Sequence, residues 1–381
     1  MSRRILLLIT DLQIGGTPTV VRELAFRLAK EPDVYVHVAC LDRWGPVADQ
    51  LRDRGIPVTA LNASCRFDVR VIFRLSRLIC RERIDTVFSF LIHANAAAAL
   101  ARLGIPKPVK KIGPAPKTGT QLVFAPPPKL AASPFQRIRF LQSIQTAQPT
   151  PRWHWMLQQM IHHAARRIVV PSPSVAEAAR KWAAVPPEKI EIVPNAVELA
   201  EFSLLRRNPP GNRVGFIGRL DPVKRIEDLI AAISLLKGNV SLDIFGEGPE
   251  RRKIESLIDG LDLHHPVDLH GAVGGPAEAL AGIDVLVLPS DAEGFGLVLI
   301  EAMAAGVPVI GTNVPGIRDV IRDGENGLLV PPRNPQALAN AIEKVLSDPS
   351  LHEKLSAGGR ASVQGRFTWP SVYEQYRALL V

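Results

Sequence analysis

DVLVLPSDAEGFGLVLIEAMAAGVPVIGT, residues 284–312, is the stretch on which the fold turns. It opens with an apolar run short enough to be a buried strand. A glycine-punctuated loop follows, then a helical stretch rich in Ala and Leu, then VPVIGT as a second apolar run. Strand, loop, helix and strand in this order predict neighbouring parallel strands in a sheet covered by helices. The rhythm extends through the second half, where RVGFIG, SLDIFG, VDLHG and GLLVP read as further strands, each followed by a helical pattern.

The first half has the same alternation. ILLLIT (5–10), VYVHVACL (34–41), VTAL (58–61) and TVFSFL (86–91) read as strands, with helical segments near 20–29, 68–83 and 94–103. Regularity fails over 106–151, which holds ten prolines, so neither a long helix nor a central strand runs through most of it. RFLQSIQ (139–145) is the one short strand expected inside that stretch. Alternation resumes with RIVVPS (167–172) and KIEIVPN (189–195). A chain of 381 residues exceeds one ordinary core. The reading is therefore α/β with two Rossmann-like domains, 1–198 and 199–365. The polar stretch 198–211 serves as linker, and a C-terminal helix in 366–381 packs back towards the first domain.

Composition narrows the classes of function. Hydrophobic residues are 46% and charged residues 22%, as in an ordinary globular enzyme. The run at 5–9 is too short for a secretory signal, and no stretch approaches a membrane span of about 20 apolar residues. Cys40, Cys65 and Cys80 lack metal-ligand spacing, which fits reduced thiols in a cytoplasmic protein. The net charge of +9 is uneven: residues 1–199 hold 28 Lys and Arg against 14 Asp and Glu, whereas the remainder holds 18 against 23. The halves are thus expected to meet different partners. No basic-plus-aromatic pattern supports nucleic acid; an anionic membrane or acceptor fits the basic half better, with plain solubility charge as the alternative.

In parallel sheets ligands gather at the carboxyl ends of strands, where helix N-termini hold anions. Four features stand at such ends. GGTP (15–18) is a flexible turn but not a dinucleotide fingerprint. GFIGRLDPVKR (215–225) puts Arg219 beyond a strand and Lys224 in the first turn of the next helix, with Asp221 and Pro222 as its N-cap pair. Cations at a helix start call for a balancing anion. A diphosphate gripped by Arg219 and Lys224 supplies one; ion pairs to Glu227 or Asp228 are the plainer alternative. FGEGP (245–249) is a glycine-bounded turn suited to close approach of a base or ribose. In 289–310, Glu293 stands in the loop, Gly294 and Gly296 bare the amides of the helix start, and Glu301 lies within that helix. The carboxylates can accept hydrogen bonds from sugar hydroxyls, or else be an ordinary acidic residue and a buried structural one.

GFIGRLDPVKRIEDLI, FGEGP, the E-x7-E of Glu293 and Glu301, and GIRDVIRDGENGLLVPP resemble glycosyltransferase family 4, and VPNAV (193–197) resembles the family's approach to its hinge. The likeness is strong over 167–332, moderate over the first hundred residues and poor over 107–137. It implies a GT-B fold, two Rossmann-like domains with parallel sheets facing across a cleft. It also implies a nucleotide-diphosphate sugar as donor, retention of anomeric configuration and no required metal. Arg219 and Lys224 match the family's diphosphate-binding pair, Glu293 the carboxylate on the donor sugar and Glu301 the one on the ribose. Gly16, with Gly15, matches the loop that closes over the donor phosphates. The implied donor site further takes in Gly218, Gly246, Glu247, Val273, Gly294, Phe295, Gly296 and Leu297. Where many members carry a cleft histidine after the fifth strand, this chain has Gln145, which cannot take a proton at neutral pH. His93, after the fourth strand, is the nearest cleft histidine.

These readings converge on a retaining, metal-independent glycosyltransferase in polysaccharide, cell-envelope or glycolipid synthesis. The chain contains no D-x-D pair and needs no cofactor beyond the nucleotide sugar. A sugar-nucleotide epimerase on the same scaffold and a non-catalytic nucleotide-sugar-binding protein are the alternatives. The acceptor is a sugar, a lipid-linked group or a small molecule. Arg70, Arg74, Arg77 and Arg81 recur at helical spacing beside an apolar stripe of Val71, Ile72, Leu75, Leu78 and Ile79. Docking of that basic stripe on the inner face of the plasma membrane is weighed against a solvated helix face.

Overall fold

The computed structural model describes residues 3–42, 44–65, 68–104, 138–203, 211–260 and 264–381. Most of the proline-rich stretch, 105–137, therefore lies outside the described residues. The first domain contains β1 (Arg3–Ile9), α1 (Gly16–Leu28), β2 (Val34–Cys40), α2 (Pro46–Asp53), β3 (Val58–Ala60), α3 (Arg70–Arg81), β4 (Thr86–Phe90), α4 (Ile92–Gly104), β5 (Arg139–Ser143), α5 (Arg152–Ile161), β6 (Arg167–Val170), α6 (Pro173–Ala183) and β7 (Ile190–Ile192). Its strands form one parallel sheet in the order β3-β2-β1-β4-β5-β6-β7.

The apolar run of β1 shows how sequence sets the layers. Ile5 to Ile9 are fully buried. Side chains of a strand alternate between faces. Ile5, Leu7 and Ile9 accordingly join the core under α1 and α2, and Leu6 and Leu8 join the core under α3 and α4. A third cluster lies under α5 and α6. Helices α3 to α6 thus form one outer layer, and α1 and α2 the other.

The second domain begins with α7 (Leu199–Ser203), so this part of the presumed linker is helical, and Phe202 enters the second core. Residues 204–210 lie outside the described residues. Next come β8 (Arg213–Ile217), α8 (Ile226–Ser234), β9 (Ser241–Phe245), α9 (Arg251–Gly260), β10 (Val267–Gly271), α10 (Pro276–Ala281), β11 (Val285–Leu288), α11 (Leu297–Ala305), β12 (Val309–Thr312), α12 (Ile317–Val320), β13 (Leu328–Val330), α13 (Pro335–Ser347) and α14 (Pro349–Arg366). The sheet is again parallel, ordered β10-β9-β8-β11-β12-β13. The last helix, α15 (Trp369–Leu380), buries Trp369, Val372, Tyr376 and Leu380 in the first domain's core.

In both sheets the order reverses beside the first strand, between β1 and β4 and between β8 and β11. Such switch points open a crevice beyond the strand ends. The loops around residues 10–15 and 91–93 flank one crevice, and the loops 218–225 and 289–296 flank the other.

Candidate functional site

The loop after β8 departs from its sequence reading. Asp221 makes no side-chain cap bond, and Pro222–Lys224 form a 3-10 turn rather than the first turn of α8. Arg225 then takes a left-handed conformation (φ 52°) before α8 begins at Ile226. The aspartate instead pairs with Arg219, whose Nε lies 2.7 Å from Asp221 Oδ2. Glu227 and Asp228, the plainer partners considered for Arg219 and Lys224, are both taken by Arg225.

The turn is what delivers Lys224 to the loop after β11. Asp291 N donates to the Val223 carbonyl (2.8 Å), stitching the two loops together. Lys224 Nζ then donates to Glu293 Oε1, which also accepts from Ser290 Oγ (2.7 Å). Both partners are well covered, at 19% and 12% side-chain exposure. Thr312 Oγ1 donates to the Ser290 carbonyl and holds that residue in place. Glu293 Oε2 makes no hydrogen bond among the described residues, so it stays available as an acceptor. Arg219 is 71% exposed in the loop after β8 that also carries Lys224. The arrangement is a fixed ammonium, a guanidinium and a carboxylate beside the start of α11, whose first amides point outwards.

Glycines let backbones meet where side chains would not fit. Gly296 caps α11 with a left-handed φ of 78°. Gly294 faces across the cleft: a Cβ there would strike the carbonyl of Gln145 in the first domain. The Gly294 carbonyl accepts from Ser172 Oγ (3.1 Å), and Ser174 N donates to Asp319 Oδ2 (3.1 Å). Gly16, the first residue of α1, lies against the side chain of Leu297. Gly15, Gly16 and Gln145 from the first domain are thereby brought to Glu293, Gly294 and Leu297 from the second, with Phe295 buried beneath them. The loops at Gly218 and Gly246 interlock: a Cβ on Gly246 would strike the Gly218 carbonyl, and Leu220 N donates to the Glu247 carbonyl (2.9 Å). Glu247 pairs with Arg251 (2.6 Å) and remains half exposed. Val273 follows the edge strand β10, at the end of the sheet away from the Glu293 loop.

Glu301 sits in α11, facing Glu201 of α7 and Arg22 of α1. Burial, reinforced by the Glu201 charge and only partly offset by Arg22, pushes its carboxyl up to about 8. Glu201 is also raised, chiefly by burial. Gln145 turns its amide to Ser143 Oγ (2.5 Å). His93, in the first turn of α4, packs edge-on to Trp153 and His154 at centroid distances of 5.8 and 6.0 Å. Sequence reading missed Ser290, Ser172, Trp153 and His154. A serine two residues after a strand was the only local hint, and it is too common to single out.

The basic stripe of α3 is largely engaged. Arg70 pairs with Asp68 and Arg81 with Glu82. Arg74 donates to the carbonyls of Leu61 and Asn62. Arg77 has no such partner among the described residues. Val71, Leu75, Leu78 and Ile79 are buried as read, Ile72 is half-buried, and Phe73 stands 74% exposed between the arginines. Among the described residues no helix is long and apolar enough to cross a membrane. Asp243, Asp268 and His270 lie close enough to hold a cation, but Asp243 is already occupied bidentately by Arg213 (2.9 and 3.0 Å) and by His270 (2.6 Å).

Comparison with known proteins identifies the family and the fold. Residues 15–196 match the family model for the glycosyl transferase 4-like domain, and residues 201–362 match the model for glycosyl transferases group 1. An uncharacterized glycosyltransferase of Methanocaldococcus jannaschii is 30% identical over 226 residues, covering 55% of this chain and 58% of the relative. The N-acetyl-alpha-D-glucosaminyl L-malate synthase of Bacillus anthracis is 36% identical over 165 residues, 43% of each chain. The chain thus spans about half the length of the curated relatives it matches. Among solved structures, Anabaena HepE in complex with UDP and glucose superimposes with a TM-score of 0.81 at 19% identity, over 99% of both chains. That likeness concerns the fold, which is GT-B. Matched by the two models in succession over nearly its whole length, the chain belongs to the family 4-type, group 1 glycosyltransferases.

Proposed function

We propose that this chain transfers a sugar from a nucleoside-diphosphate sugar to an acceptor hydroxyl, with retention and without a metal ion, in polysaccharide, cell-envelope or glycolipid synthesis. The observation that carries the reading is the Lys224–Glu293–Ser290 group at the start of α11, met across the cleft by Gly16 and Gln145. The second domain would hold the donor and the first the acceptor. Anabaena HepE, which has the same fold, is solved in complex with UDP, with UDP and glucose and with UDP-glucose, which makes uridine nucleotides the first donors to try.

In the reaction the anomeric C–O bond to the diphosphate breaks and the acceptor oxygen bonds to the same carbon from the same face. The acceptor proton passes to the departing phosphate oxygen. Negative charge grows on the diphosphate as the bond breaks, and preorganised donors aimed at it are the largest service a site can give. Lys224 keeps two N–H bonds free after serving Glu293, and Arg219 and the α11 amides lie alongside. On this reading Glu293 Oε2 would accept from a donor-sugar hydroxyl, and Glu301 from a ribose hydroxyl. An epimerase would need an acid/base pair in the cleft, and the Gln145 amide does not supply one.

Incubating the protein with a panel of nucleotide sugars and candidate acceptors tests the reading. Release of nucleoside diphosphate with acceptor glycosylation, undiminished by EDTA, is the expected result. Epimerised sugar without release, or activity restored by magnesium only, would overturn it. The outer face of α3, with Phe73 and Arg77 exposed and a groove of about 510 Å³ lined by Arg74, Arg77 and Arg81, is proposed as a contact with anionic membrane on the cytoplasmic side.

A further inference from the structure

Apolar exposure on this molecule is concentrated. Of eleven large hydrophobic side chains exposed among the described residues, Leu100, Leu103, Trp153, Met156 and Met160 all lie on α4 and α5. These helices are neighbours in the outer layer and run parallel, since each leads away from the end of a parallel strand. Their first turns touch through the His93–Trp153 contact, with His154 packed 4.0 Å from Trp153. On α4, His93, Ala96, Leu100 and Leu103 share one face at helical spacing; on α5, Trp153, Met156 and Met160 do so. Both stripes start at the ring contact and descend side by side for about 10 Å to the level of Leu100 and Met160. Met156 is 64% and Met160 75% exposed. At the head of the strip Arg152 is exposed and has no acidic partner among the described residues.

We propose that this strip holds an amphiphilic acceptor, a hydrocarbon chain ending in a phosphate-bearing head. The head lies at the cleft rim against Arg152, Trp153 and the two imidazoles, and the chain lies over Met156, Met160 and Leu100. The proposal rests on the glycosyltransferase reading and names its acceptor class. The occupant follows from continuity and charge. The strip begins where the first-domain strand ends face the donor loops, carries the exposed Arg152 at that end, and is apolar from there to the level of Leu100 and Met160, below which Arg102 donates to the Ala164 carbonyl (2.6 Å). A water-soluble saccharide would engage Trp153 and leave the methionines bare.

Undecyl phosphate below its micelle concentration is the probe, titrated calorimetrically into the full chain. Saturable binding is expected, at least ten-fold tighter than inorganic phosphate or undecyl maltoside. The double variant Met156→Gln/Met160→Gln, which changes only exposed helix positions, should weaken undecyl phosphate about ten-fold and leave UDP binding unchanged. Arg152→Gln should abolish the preference over undecyl maltoside. Binding that is non-saturable, indifferent to the head group, or unaltered in the double variant overturns the assignment. UDP bound without undecyl phosphate sinks this inference and leaves the transferase reading standing. Failure to bind any nucleoside diphosphate sinks the reading beneath it.

Discussion

Lys224 neutralises a covered carboxylate and, on the proposed function, offers its remaining N–H bonds to a diphosphate. Its removal should therefore have two consequences, and removal of Arg219 only one. Arg219→Ala leaves no cavity and strands no buried group, so the melting temperature should not move. Lys224→Ala leaves Glu293 with Ser290 alone, a loss on the order of 1–3 kcal/mol for a poorly satisfied buried group. Turnover should fall about 10²- to 10³-fold in both variants, the usual cost of losing one donor to a developing anion. Steady-state rates beside thermal melts decide it, and wild-type turnover in either variant removes the diphosphate assignment. Glu301 gives a second prediction, in pH. Its carboxyl is raised to about 8 by burial and by Glu201, so the fold prefers it protonated. Below about pH 4.5 the group is protonated both folded and unfolded and costs nothing. From there up to about 8 the unfolded chain releases the proton that the fold retains, so stability falls as pH rises and levels off above 8. Glu301→Gln should gain on the wild type across that window, by on the order of 2–4 kcal/mol at the alkaline end. Chemical denaturation from pH 5 to 9 measures the gap; parallel curves would contradict the assignment.

At the scale of elements, the start of α11 is where the domains meet. Gly294→Ala places its new carbon against the Gln145 carbonyl, a collision between domains rather than within one. The second domain should fold normally while the cleft is held apart. A displacement of about 1 Å near reacting groups can cost on the order of 10²-fold, so turnover should drop at least about ten-fold with little change in melting temperature. Unchanged kinetics would mean that the working enzyme does not use this contact. The α3 face carries its own test. Arg74 is tied to the carbonyls of Leu61 and Asn62 just past β3, so Arg77→Glu is the cleaner change. It should reduce co-sedimentation with anionic vesicles by at least about five-fold, since losing one cation near a headgroup surface alone costs about 1 kcal/mol; binding to neutral vesicles as strong as to anionic ones would leave α3 a solvated face. Which elements could be read from sequence follows from burial. Strands such as β1 and β11, covered on both faces, appear as unbroken apolar runs, and Glu293 and Glu301 stood at readable positions around the next helix. Helix α5 did not announce itself because Trp153, Met156 and Met160 face outwards, so its apolar residues mark no core stripe. The Asp221–Pro222 signal named a cap, but the left-handed Arg225 breaks the chain direction before α8 can use it. Ser172 and Gly294 are far apart in the chain, and no local pattern announces such a pair.

On the scale of the whole molecule, the two domains are joined where the chain crosses between them twice. Val197 leaves the first domain, and Thr368, returning to it, pairs with Val197 in a parallel bridge. Phe367 belongs to the second core and Trp369 to the first, so the return crossing occupies a single residue. Helix α15 is therefore attached by sequence to the second domain yet is structurally part of the first. The Arg27 guanidinium stacks over Trp369 at 4.5 Å and pairs with Glu23 and Glu198, which braces the crossing from α1. Trp369→Ala removes a fully buried side chain, and losses of this kind run to about 3–5 kcal/mol. The damage should fall on the domain whose core is opened, not on the one that precedes α15 in the chain. Amide exchange should accelerate in β1, β2 and β4 of the variant and stay slow in β8 and β11. Nucleoside diphosphate binding should persist, because the Lys224–Glu293 group is built wholly within the second domain. Faster exchange in β8 and β11 as well would show that the crossing at Thr368 couples the two cores into one cooperative unit, and that the two domains cannot loosen separately.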